Sequence, residues 1–141
     1  MDKYLNNDLF HPRYLFHGSS ILLNNLEPKQ SHDLDNNPEN EANAVFLTSS
    51  FIIASAYAFK EYGNLSVEYI PDENKINIEF DNINIDDEVE GYIYVVPYNE
   101  KYEHHGRSSQ YKCFENITPI DTIKIKFGDF KKYYSINTKI R

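Results

Sequence analysis

The stretch from Ala44 to Tyr62, AVFLTSSFIIASAYAFKEY, constrains this chain more than any other. Ala44 to Thr48 is an apolar run of strand length, and Ser49 or Ser50 then offers a side-chain oxygen to the free N–H groups of a helix start. The helix is expected to run to about Tyr62, with Gly63 as its stop. Ile52, Ala56 and Phe59 share one face and Ile53 and Tyr57 another, so the helix is apolar on more than one side. Ala54, Ser55, Ala56 and Ala58 are small, which lets another backbone or a flat ligand approach closely. A tyrosine among small residues is more often core packing than a ligand shelf, and both accounts stay open on these residues alone.

Around this stretch the pattern is mostly β. Tyr14 to Phe16 is a short apolar run that stops at His17-Gly18, where the backbone is expected to approach something closely. Ile21 to Leu26 is a short helical or extended stretch. Lys29 to Asn43 has almost no apolar residue and is expected to be a solvated loop. Leu65 to Ile70 and Ile76 to Phe80 flank turn residues Pro71 to Asn74 as a hairpin. Asn82 to Glu90 suggests a strand edge followed by a loop, and Gly91 to Val96, GYIYVV, is the clearest buried strand. Pro97 to Arg107 is a polar loop, Ser109 to Phe114 a strand, and Asp121 to Phe127 a strand with strict alternation. Several strands with one main helix make an α+β domain with a mostly antiparallel sheet, and 141 residues are expected to form one domain.

Several chemistries are excluded or weakened. Asp33, Asp35 and Asn37 imitate the opening of a calcium loop, but the sixth position is Pro38 where glycine is needed and the twelfth is Ala44 where glutamate is needed. His104 and His105 are adjacent and point in different directions, and neither they nor the lone Cys113 has a partnering ligand, so no metal site is expected. Cys113 also excludes an internal disulfide and fits a reducing compartment. No run approaches a membrane span and the opening residues lack a signal-peptide core, so a cytoplasmic location without membrane attachment is expected. The net charge of −8 opposes binding to a long phosphate backbone and still allows a small anion held locally. The five glycines are too scattered for a phosphate loop or a dinucleotide-fold fingerprint, and no serine sits in a nucleophile elbow.

Phe16-His17-Gly18-Ser19 at a strand end, Ala44 to Thr48 leading into a helix with Tyr57, and Ser109-Gln110-Tyr111 as a third block occur in this order. Tyr57 lies eleven residues beyond Phe46. In order and spacing, from Tyr14 to about Phe127, these blocks resemble the poly(ADP-ribose) polymerase and diphtheria-toxin-like ADP-ribosyltransferase superfamily.

The resemblance implies a split antiparallel β-sandwich with one main helix packed beside a cleft that holds NAD as substrate. It implies that His17 hydrogen-bonds a ribose hydroxyl and that the Gly18 backbone holds the nicotinamide amide beside Ser19. Tyr57 and Phe46 would be the aromatic walls around the nicotinamide ring, whose positive charge suits an electron-rich face. Gln110 would stand where the family carries its catalytic glutamate. The chain also departs from the family at Phe46, usually tyrosine, and at Ala54, usually a hydroxyl residue. A carboxylate near the ribose stabilises the positive charge that develops as nicotinamide leaves, and Gln110 brings no charge. Two classes of function follow. One is an NAD-dependent mono-ADP-ribosyltransferase acting on an unknown acceptor, protein rather than nucleic acid, or its relative, an RNA 2′-phosphotransferase. The other is a binding module that keeps a pocket for NAD or ADP-ribose without turnover. Without the family, the same residues fit an α+β interaction protein in which His17 and Tyr57 are packing residues.

Overall fold

A computed structural model of the protein describes residues 2–30 and 43–137. In chain order its elements are α1 (Asp2–Leu5), β1 (Tyr14–Ser19), β2 (Lys29–Gln30), β3 (Asn43–Thr48), α2 (Phe51–Tyr57), β4 (Asn64–Ile70), β5 (Lys75–Asp81), β6 (Glu90–Pro97), β7 (Glu103–His104), β8 (Gln110–Cys113), β9 (Asp121–Lys126), α3 (Phe127–Phe130) and β10 (Ser135–Asn137). One antiparallel sheet runs β7-β8-β3-β1-β6-β9, with β2 paired to the start of β3. A second, of three strands, runs β10-β5-β4, and only its β10–β5 pairing is parallel. The expected α+β class with mostly antiparallel sheets is what the chain forms.

The apolar runs in the sequence become strands buried on both faces. On one face of the large sheet Leu15, Val45, Leu47, Tyr94, Val96 and Tyr111 form a core with Leu26. On the other, Phe16, Ile93, Val95 and Ile125 pack against α2 and against Ile78 and Phe80 of the small sheet. Successive residues of β1 and β6 thus enter different cores, which is why no polar alternation marks them. Tyr94 is fully buried but satisfied: its hydroxyl donates to the Ile21 carbonyl at 2.8 Å and accepts from the Leu23 N–H at 2.6 Å. That pair of bonds pins the irregular segment between β1 and β2 across the sheet.

Several boundaries differ from expectation, each for a packing reason. Strand β1 does not stop at His17 but continues to Ser19, because its whole length pairs with β6, from Tyr14 opposite Pro97 to Ser19 opposite Tyr92. Helix α2 ends at Tyr57 rather than Tyr62. Phe59 leaves helical geometry and buries its ring edge-on to Phe127 at 5.3 Å, and Lys60–Tyr62 form a separate 3-10 turn. Gly63 is therefore not the helix stop. It lies in extended backbone, where an added Cβ would fall 2.8 Å from the Ile83 Cβ. Lys29 and Gln30 begin the expected loop as strand β2, and Glu103–His104 form a short strand inside the expected loop of Pro97 to Arg107. The calcium-like residues Asp33, Asp35 and Asn37 lie outside the described residues.

Candidate functional site

The ends of β3 and α2 are fixed by short-range polar contacts. Ser50 caps α2 by accepting from the Ile53 N–H at 3.1 Å, and Thr48 Oγ1 accepts from the Ser50 N–H at 3.1 Å. Ser49 N–H donates to the Ser109 carbonyl at 3.0 Å, which holds the start of β8 beside the end of β3 and sets Gln110 opposite Thr48. Asn7 adds a clamp that no sequence pattern marked. Its amide donates to the Tyr14 and Ser49 carbonyls and accepts from the Arg13 and Tyr14 N–H groups, so all four bonds serve the junction of β1 with β3 and α2.

Beside this junction lies a cleft of about 710 Å³, within the range of small-molecule sites. His17 and Gly18 from β1, Phe46 from β3, Tyr57 from α2 and Gln110 from β8 all line it. Ser19, the remaining residue of the first block, is not among the lining residues. Its Oγ accepts from the Ile21 N–H at 3.2 Å instead.

His17 Nδ1 lies 2.8 Å from the Phe46 carbonyl oxygen, which can only accept, so Nδ1 carries a proton and donates. In the neutral ring Nε2 is then the acceptor. Tyr57 is 40% exposed, with its ring open to the cleft. Crowding by the walls raises the pKa of its hydroxyl above the usual phenol value. Gln110 is exposed, and its side-chain amide makes no hydrogen bond among the described residues.

Gly18 has a structural cause that the sequence did not reveal. A Cβ there would fall 1.9 Å from the Ala54 carbonyl oxygen and 2.9 Å from the Ala58 nitrogen. Ala54 and Ala58 are wholly buried. Strand backbone therefore occupies much of the space that the small residues of α2 leave, and only Ala54 of the four small residues lines the cleft.

The cleft also contains residues that sequence reasoning missed as members of one site. Lys60, Val67, Tyr69 and Pro71 come from the turn after α2 and from the β4 hairpin, and His105, Arg107 and Ser108 from the loop before β8. No local motif marks them as partners in one site, since Pro71 reads only as a turn residue and His105 only as one of a histidine pair, and the fold is what joins them. Among the described residues no aspartate or glutamate lines the cleft, whereas Lys60 and Arg107 do. The charged lining side chains are thus cationic, although the Arg107 guanidinium is paired with Asp72. Lys112, buried and outside the cleft lining, has its Nζ 5.8 Å from the Phe46 ring centroid.

The histidine pair is accounted for locally. His104 stacks on Tyr111 at 4.1 Å with its Nε2 2.5 Å from the Ser108 carbonyl, and His105 pairs with Glu103 at 2.8 Å. Among the described residues no cluster of histidine, cysteine or carboxylate could hold a metal, and no helix is long and apolar enough to cross a membrane. Compared with family models, curated proteins and solved structures, the chain matches none.

Proposed function

We propose that the chain is an NAD-binding, ADP-ribosyltransferase-like protein whose two sheets correspond to the split β-sandwich of that superfamily. The observation that carries this reading is the convergence of His17, Gly18, Phe46, Tyr57 and Gln110, from four separate elements, on one cleft. A cationic ring beside Tyr57 gains from the aromatic face, and Lys60 and Arg107 give the phosphates of a dinucleotide a favourable field. In the transfer reaction the bond between ribose C1′ and the nicotinamide nitrogen breaks, nicotinamide keeps the electron pair, and a nucleophile of the acceptor bonds to C1′. His17 holds a ribose hydroxyl of the adenosine half, and Gln110 orients a hydroxyl of the reacting ribose through its amide oxygen. Transfer of a single ADP-ribose to a protein acceptor in the cytoplasm is the activity that fits.

A second reading is favoured by one observation. No carboxylate lines the cleft among the described residues, so nothing there offsets charge developing on the ribose, as expected of a module that binds NAD or ADP-ribose without turnover. An RNA 2′-phosphotransferase fits less well, because among the described residues only Lys60 and Arg107 bring full cations to the cleft lining, too few to hold an RNA strand.

The test is direct. NAD at about millimolar concentration is expected to raise the thermal midpoint of the wild type and not that of Tyr57→Ala, since a ligand of the folded state alone stabilises it by mass action. No shift in the wild type overturns both readings. Nicotinamide release by the wild type that is lost in His17→Ala identifies an enzyme. Release that appears only in Gln110→Glu identifies a binding module.

A further inference from the structure

The hydroxyl oxygen of Tyr69 is buried and has no hydrogen-bond partner among the described residues. Buried polar groups in folded proteins are nearly always paired, and an orphaned one destabilises the chain that carries it. Tyr69 is on β4 and lines the cleft. Its ring lies 6.2 Å from that of Phe10, and the guanidinium of Arg107 lies 5.3 Å from the other end of this series, over Phe10. Phe10, itself outside the cleft lining, thus contacts both side chains.

Arg107 also pairs with Asp72 in the β4–β5 turn, through NH1. Both side chains are mostly exposed, so the pair holds the guanidinium weakly and leaves its remaining N–H donors for another acceptor. Lys60, itself exposed, brings a second positive charge to the lining from a third element. Besides Asp72, Asp8 is an opposing charge nearby, and its Oδ1 is engaged by the Phe10 and His11 N–H groups. The phenol responds to these surroundings: burial raises its pKa, Arg107 lowers it and Asp8 raises it.

We propose that Tyr69, Arg107 and Lys60 form an anion subsite in the cleft that takes a phosphoryl group, the Tyr69 hydroxyl donating a hydrogen bond and the two cations supplying charge. A tetrahedral oxyanion directs its acceptor oxygens out of one plane and so can meet donors on three separate elements at once, whereas a carboxylate's acceptor sites lie near a single plane. The phosphate could belong to the nucleotide itself or to a second, phosphorylated substrate. That choice of source rests on the nucleotide reading, but the subsite does not.

Inorganic pyrophosphate binding measured by calorimetry tests it. Tyr69→Phe is expected to weaken binding about fivefold while leaving the unliganded thermal midpoint unchanged or higher, because it removes an orphaned hydroxyl. Arg107→Gln is expected to weaken binding about tenfold or more, and Asp72→Asn, which releases the guanidinium, to leave it unchanged or tighter. Competition of ADP-ribose with pyrophosphate assigns the subsite to the nucleotide's own phosphates, and simultaneous binding assigns it to a second substrate. The proposal is overturned if wild type does not bind pyrophosphate, if Tyr69→Phe and Arg107→Gln bind it as wild type does, or if Tyr69→Phe lowers the unliganded midpoint. A thermal shift with NAD that depends on Tyr57 would survive any of those results.

Discussion

Replacing Gly18 by alanine places one methyl group against backbone that cannot rotate away. The new Cβ would stand 1.9 Å from the Ala54 carbonyl oxygen, 2.9 Å from the Ala58 nitrogen and 3.0 Å from the Ala54 carbonyl carbon. Restoring ordinary contact requires β1 and α2 to separate by roughly 1 Å or more, in an interior packed as densely as a crystal. Strain of this kind costs about 1–3 kcal/mol, and the backbone identity of the clashing atoms puts Gly18 at the upper end. At about 3 °C per kcal/mol for a chain of this size, the thermal midpoint is expected to fall by about 10 °C. Urea titration should show the same loss as a lower midpoint with an unchanged slope. Ala54→Gly in the same chain should not restore stability, because it removes a side chain and leaves the carbonyl in place. A Gly18→Ala protein within about 0.5 kcal/mol of wild type, or rescue by Ala54→Gly, would refute the close approach of strand and helix.

Ser50→Ala removes the acceptor for the Ile53 N–H at a buried helix start and is expected to cost about 1 kcal/mol by urea titration. Tyr4, 3% exposed, donates its hydroxyl to Asp121 Oδ2 at 2.8 Å, and burial together with that carboxylate pushes its pKa from 10.0 up to about 12. A raised phenol pKa favours the neutral form in the folded chain, so its contribution is complete below pH 10 and is lost as pH rises from there through about 12. Thermal midpoints of wild type and Tyr4→Phe should therefore converge above about pH 10, and a gap independent of pH would refute the assignment.

Legibility in the sequence followed how local the physical cause was. The run GYIYVV could be recognised as a buried strand because both of its faces enter cores, and the β4–β5 hairpin because Pro71 to Asn74 carry their own turn chemistry. The length of α2 could not, since it ends where the distant ring of Phe127 receives Phe59. The first and second site blocks lie beside strand ends and helix starts, where pattern and geometry coincide. Tyr69 and Arg107 belong to a hairpin and a loop that meet only after two sheets have formed, and nothing in their immediate neighbours announces it. Gly18 illustrates a subtler gap: its need for space was visible, but the neighbour claiming that space was Ala54 rather than a ligand.

That contact divides the cleft into two walls of different compliance. On one side strand β1 and helix α2 touch backbone to backbone, so His17, Gly18 and Tyr57 share a single frame and cannot be spread without the cost calculated for one added methyl group. On the other side the β4 hairpin meets the loop before β8 through an exposed Arg107–Asp72 pair that water and salt compete for. Any force that spreads the cleft would therefore meet less resistance at the Arg107–Asp72 pair than at the strand–helix contact.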